Sequence, residues 1–183
     1  RLINDTAASA SLGSFRGHIF EHVAHRIISK GGLFRVKRLN PVTGSDPCTG
    51  WDLRPCSLKV VPSFPPTTLA QDEYYVPVAR NVSSVDSIRG DGTMFQMTVS
   101  STHPVKGKYV QALIRQFNLD APKLVFVVPA DVFDKFEYQP FTTMKPPSGT
   151  SAAAAATATA APTPLQRLGV LNTVEQYALD DMS

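Results

Sequence analysis

Residues 123–129, Lys-Leu-Val-Phe-Val-Val-Pro, constrain the fold more than any other stretch of the chain. An unbroken apolar run of this length, rich in valine and closed by proline, suits a strand covered on both faces. Upstream, Tyr109, Val110, Leu113, Ile114 and Phe117 recur at helical spacing, and Pro104 suits the first turn of that helix. Before it, residues 94–100 read as a strand. Strand, helix, buried strand is a crossover unit, which sets two strands parallel and lays the helix on the sheet.

The remaining elements extend this unit. Phe15, Ile19, Phe20, Val23, Ile27 and Ile28 predict an amphipathic helix over residues 11–30, ended by Gly31-Gly32. Residues 33–39 alternate apolar and basic, as a half-exposed strand does. Residues 40–72 carry prolines 41, 47, 55, 62, 65 and 66 and read as loop, with a short strand at 58–61. Residues 74–79 form the next strand, with Pro77 marking an edge or bulge, and 85–88 continue or restart it before the turn at 89–92. A short helix follows at 131–136. The expected fold is α/β: a mixed β-sheet flanked by helices, in the order αβββαβ.

The expected organisation is a domain over residues 1–148, an Ala/Thr-rich linker or insertion loop over 149–162, and a helical tail over 163–183 that packs on the domain. The tail helix spans 165–182, with Leu168, Val170, Leu171, Val174 and Tyr177 as partial anchors. The chain opens at Arg1, not Met, and reads as a piece of something longer. No apolar run approaches the roughly 20 residues that cross a bilayer, so no membrane partner is expected. A net charge of +3 permits a phosphate-rich partner without demanding one. Cys48 and Cys56 are read as free thiols, with a disulfide closing a short loop as the alternative.

Three groups of side chains carry chemistry. Gln96 and Thr98 lie two apart and share one face of a strand, and Asp86 on a neighbouring strand is placed to face Gln96. Oxygen donors of this kind suit Mg2+, which activates water and offsets charge at a cleaved phosphodiester. The alternative is the polar outer face of an amphipathic strand. Glu21 sits on the first helix with His25 one turn on, and His18, His22 and His25 share a flank. Those three histidines have zinc-ligand spacing, though a polar helix face is the favoured reading. His103, Lys106, Lys108 and Arg115 gather around the second helix, where cations and free N–H groups suit phosphate. Arg16, Arg35, Lys37 and Arg38 form a second basic set. Each basic set is read either as phosphate contact or as solvated surface.

The stretches Arg16-Gly17-His18-Ile19-Phe20-Glu21-His22-Val23-Ala24-His25, Gly31-Gly32-Leu33-Phe34-Arg35-Val36, Ser84-Val85-Asp86-Ser87, Phe95-Gln96-Met97-Thr98-Val99-Ser100, His103-Pro104-Val105-Lys106 and Leu124-Val125-Phe126-Val127-Val128-Pro129 occur in an order that resembles the C-terminal domain of Crinkler and RHS-type effector proteins of oomycetes, fungi and trypanosomes. That resemblance covers roughly residues 15–140 and implies a restriction-endonuclease-like core, the PD-(D/E)xK superfamily. It implies Glu21 as the helix carboxylate, Asp86 and Gln96 as Mg2+ ligands, and Lys106 in place of the motif lysine, where this chain has Thr98. His103, Lys108 and Arg115 are then the nucleic-acid contacts, and His25 a proton relay. The implied function is action on host nucleic acid, with DNA favoured over RNA, after delivery into a host cell and its nucleus. The alternative is a catalytically degenerate module that binds DNA or a host nuclear protein. Related effectors carry a P-loop NTPase domain, and no Gly-x-x-x-x-Gly-Lys-Ser/Thr occurs here.

Overall fold

A computed structural model describes residues 13–40, 42–65, 68–78, 84–142, 171 and 173–180. Helix α1 (Gly13–Lys30) opens this part of the chain. It buries Phe20, Ala24 and Ile28, while Phe15, expected on the same stripe, is 49% exposed. Gly31 ends it with φ +70, and a Cβ there would collide with the Leu53 carbonyl oxygen, so only glycine fits.

Strands β1 (Gly32–Asn40), β2 (Gly44–Ser45), β3 (Thr49–Leu53) and β4 (Ser57–Val61) follow. The Pro-rich stretch expected to be loop therefore holds two strands, β2 and β3, besides the one anticipated at β4. Strands β5 (Glu73–Pro77), β6 (Ser87–Arg89) and β7 (Met94–Met97) form an antiparallel meander. β8 (Val105–Lys106) leads into α2 (Gly107–Phe117). Pro104 thus precedes the helix and does not enter its first turn. Then come β9 (Lys123–Val128), α3 (Ala130–Phe133), β10 (Phe141–Thr142) and β11 (Glu175–Asp180).

The main sheet has nine strands in the order β2-β1-β11-β9-β7-β6-β5-β4, with β3 also paired to β1. β7 and β9 are parallel, as the α2 crossover requires, and β9 pairs parallel with β11 on its other side. A separate parallel pair joins β8 to β10. Side chains of β9 alternate between two cores. Leu124, Phe126 and Val128 pack with Val110, Leu113 and Ile114 of α2. Val125 and Val127 pack with Phe20, Ala24 and Ile28 of α1. The mixed sheet with a helix on each face is as expected.

The tail departs from expectation. Residues 175–180 form a strand inside the sheet, where a helix was expected across 165–182; residues 165–170 and the linker lie outside the described residues. β11 is paired on both edges, to β9 and β1, so the sheet runs through the boundary drawn at residue 148. Pairing on both sides satisfies its backbone N–H and C=O groups and overrides the helical preference of its Ala and Leu.

Candidate functional site

The carboxylate group sits where α1 passes the start of β6 and the end of β7. Asp86 immediately precedes β6, and its main-chain N–H donates to Phe95 O at 2.8 Å. Its Oδ2 accepts two hydrogen bonds at 2.7 Å, from the Gln96 side-chain amide and from the Met97 main-chain N–H. Gln96 is buried, and its Oε1 accepts no hydrogen bond. Part of the Asp86 residue reaches the surface, yet its carboxyl is desolvated. Burial pushes that carboxyl up to about 7; the Met97 N–H offsets this in part, the charge of Glu21 adds to it, and the Gln96 amide lowers it slightly. Asp86 and Gln96 are hydrogen-bonded to each other, and Glu21 on α1 acts on Asp86 through its charge. No lysine or arginine is among the groups that act on Asp86.

Behind this group runs a buried polar chain. His25 Nδ1 lies 2.8 Å from the Tyr74 hydroxyl, which lies 2.6 Å from Ser87 Oγ. His25 Nε2 is 3.9 Å from Glu21 Oε1. Tyr74 and Ser87 went unrecognised in the sequence. Tyr74 reads there as one more apolar strand residue, and only its register opposite Arg89, with Ser87 two residues before that arginine, places the two hydroxyls together.

The other candidates are dispersed. Thr98 is buried, and its Oγ1 accepts from the Ser100 N–H at 3.1 Å, within its own loop. Lys106 is exposed, and the part of it tied to this neighbourhood is its main-chain N–H, which donates to Ser84 Oγ at 2.8 Å. Ser84 itself is buried with φ +107, a strained conformation two residues from Asp86. His103 is half-buried, and desolvation lowers its pKa, so it is a weaker cation at neutral pH than expected. Its main-chain N–H donates to Gln139 Oε1. Lys108 and Arg115 are exposed and seven residues apart, on one side of α2.

The second basic set is committed to structure. Arg16 pairs with Asp131 at 2.9 Å, Arg35 with Asp180 at 2.9 Å and Arg38 with Glu175 at 2.8 Å. Lys37 donates to Asp134 O at 3.2 Å, and burial lowers its pKa. These cations link α1 to α3 and β1 to β11. The histidine flank is divided as well. His25 is turned inward onto Tyr74, whereas His18 and His22 are exposed. Among the described residues no group of three His, Cys, Asp or Glu side chains is arranged to hold a metal, which argues against zinc on that flank. Cys48 and Cys56 are free and stand at opposite ends of β3.

Mg2+, implied by the resemblance, fits the Asp86 group. Its donors are a carboxylate oxygen and a buried amide oxygen without a hydrogen bond. Hard oxygen donors few enough to leave several water ligands are what this ion takes. A cleft of about 270 Å3 lined by Trp51, Arg54, Cys56 and Arg89, among others, shares no lining residue with the group. No family model matches this chain, and no curated protein or solved structure is significantly similar to it. Among the described residues no helix is long and apolar enough to cross a membrane.

Proposed function

We propose that the chain is a nuclease-fold domain that acts on nucleic acid by Mg2+-dependent phosphodiester hydrolysis. The observation that carries this reading is the pair formed by Asp86, a desolvated carboxyl, and Gln96, whose amide oxygen is buried without a hydrogen-bond partner. A desolvated carboxyl on which a further negative charge acts holds its proton more tightly, an arrangement that a divalent cation relieves. The order α1-β5-β6-β7-α2-β9, with β1–β4 inserted after the first helix, supports a restriction-endonuclease-like core.

In this reading Asp86 and Gln96 hold the ion, and Glu21 orients a water from the side of α1. Mg2+ bound there supplies Lewis acidity toward a phosphodiester oxygen. Lys108 and Arg115 contact phosphates on either side, and Lys106 reaches in from β8 when substrate is bound. DNA is the favoured substrate. Action inside a host cell, in its nucleus, follows from the resemblance to Crinkler and RHS-type effectors.

The test is cleavage of plasmid DNA and of RNA with Mg2+ or Mn2+, comparing the wild type with Asp86→Ala. Metal-dependent cutting that the substitution abolishes supports the proposal; no cutting of either substrate by the wild type ends it. A second reading keeps the fold but makes it a binding module for DNA or a host nuclear protein. Thr98 favours it, because the motif lysine is missing there and the hydroxyl is turned onto its own loop. Gel-shift affinity that falls steeply with salt marks a phosphate binder; salt-insensitive binding to a protein marks the other kind.

A further inference from the structure

We propose that Tyr74 is a positioning residue: its hydroxyl, which also bonds Ser87, holds His25 as the Nε2–H tautomer, so that the ring turns a hydrogen toward the Glu21 carboxylate. The tautomer stands on geometry alone. Its consequence for metal binding rests on the function proposed above.

All three groups lie in the α1-side core. Tyr74 and Ser87 are fully buried and His25 is 7% exposed, so no bulk water completes their hydrogen bonds. A neutral imidazole has one N–H and one lone pair, and which nitrogen carries the hydrogen is set by what the other one meets. Nδ1 meets the Tyr74 hydroxyl at 2.8 Å, and Nε2 has a carboxylate oxygen at 3.9 Å.

Two arrangements satisfy these contacts. In the first, Ser87 donates to Tyr74, Tyr74 donates to Nδ1, and the Nε2 hydrogen faces Glu21. In the second, Nδ1–H donates to Tyr74, Tyr74 donates to Ser87, and the Nε2 lone pair faces the carboxylate. The second turns the lone pair of a buried, unpartnered nitrogen toward a half-exposed carboxylate, whereas the first turns an N–H toward that negative charge, which the charge favours. The first therefore prevails. Burial also keeps Tyr74 a neutral phenol, which retains a hydrogen to give.

The outcome is a directed hydrogen-bond chain, Ser87 to Tyr74 to His25, running from β6 through β5 into α1. Its end faces, at 3.9 Å, the side chain that adds negative charge at Asp86. A carboxylate steered by a neighbouring N–H loses less freedom when an ion or an ordered water arrives.

The experiment uses the full chain labelled with 15N-histidine. Long-range 1H–15N spectra are recorded for the wild type, Tyr74→Phe and Ser87→Ala, and Mn2+ affinity is measured by calorimetry. The expected wild-type spectrum assigns the hydrogen of His25 to Nε2. Tyr74→Phe is expected to give mixed tautomers and an Mn2+ affinity about tenfold weaker, with circular dichroism unchanged. Ser87→Ala keeps the Nε2–H form, because Tyr74 still has its acceptor on His25. A hydrogen on Nδ1 in the wild type overturns the proposal, and so does a switch to Nδ1–H in Ser87→Ala. A changed tautomer in Tyr74→Phe with unchanged Mn2+ affinity overturns the positioning role. If Tyr74→Phe does not fold, the wild-type and Ser87→Ala spectra decide. Absence of Mn2+ binding by the wild type sinks the metal-dependent function instead, and the tautomer is then judged on the spectrum alone.

Discussion

Gln96 spends its amide N–H on Asp86 and keeps its carbonyl oxygen unsatisfied, with the two side chains 2.7 Å apart at the open end of the β6–β7 hairpin. A buried glutamine normally finds partners for both ends of its amide. Here one end is committed to the carboxylate and the other is left over, in a place that a second carboxylate also approaches.

Asp86 makes stability depend on pH. Its folded value near 7 lies above the ordinary carboxyl value of 3.8, so between those limits the folded state binds more protons than the unfolded one. Its contribution is fully present below about pH 4 and is lost as pH rises through 7, by up to about 4 kcal/mol at 1.4 kcal/mol per unit. Urea unfolding of Asp86→Asn is expected to lack this loss and to leave the variant more stable than wild type at pH 8. A variant less stable than wild type at pH 8 would count against the desolvated carboxyl.

Gln96→Glu places an acidic residue beside Asp86. Without metal, two facing carboxylates are expected to lower stability by about 1–2 kcal/mol at pH 8. With Mn2+ the order reverses, and the variant binds the ion about tenfold more tightly than wild type. Melting temperatures with and without Mn2+, together with calorimetric titration, check both halves.

The cations on β1 and on α2 separate by experiment. Arg35→Ala strips Asp180, whose side chain is 3% exposed, of its partner and is expected to cost about 2 kcal/mol. Salt dependence of any nucleic-acid binding stays unchanged. Lys108→Ala with Arg115→Ala leaves stability within about 0.5 kcal/mol and lowers the slope of log affinity against log salt by up to about 2 units.

Gln176, 1% exposed, accepts from the Gln139 main-chain N–H at 3.0 Å and donates to the Gln139 carbonyl at 2.8 Å. Gln176→Ala strands two buried backbone groups, an expected cost of about 3 kcal/mol. Gln176→Glu keeps the acceptor but loses the donor, and a denaturation series should place it between the two.

Patterns short enough to fit within one element were legible in the sequence. The β9 run and the α2 stripe rest on spacings of a few residues, and the facing of Asp86 by Gln96, ten residues apart, needs only the hairpin between them. What depends on distant partners was not. Residues 175–180 contain good helix formers, and only pairing with β1 and β9 makes them a strand. Thr49–Leu53 carries Gly and Asp and shows no alternation; it is a strand because β1 offers it an edge. Arg35 reads as a free cation because its carboxylate lies 145 residues away. The link from Tyr74 to Ser87 is hidden for the same reason: hydroxyls 13 residues apart meet only once β5 and β6 are in register.

The strand at residues 175–180 is a keystone. Among the described residues it alone bridges β1 and its hairpins to the strands running from β9 to β4. A ribosome must therefore deliver residue 180 before the two half-sheets can close, and until then each presents a bare edge. Nascent chains stalled before that point should be unusually dependent on chaperones and prone to sticking to one another.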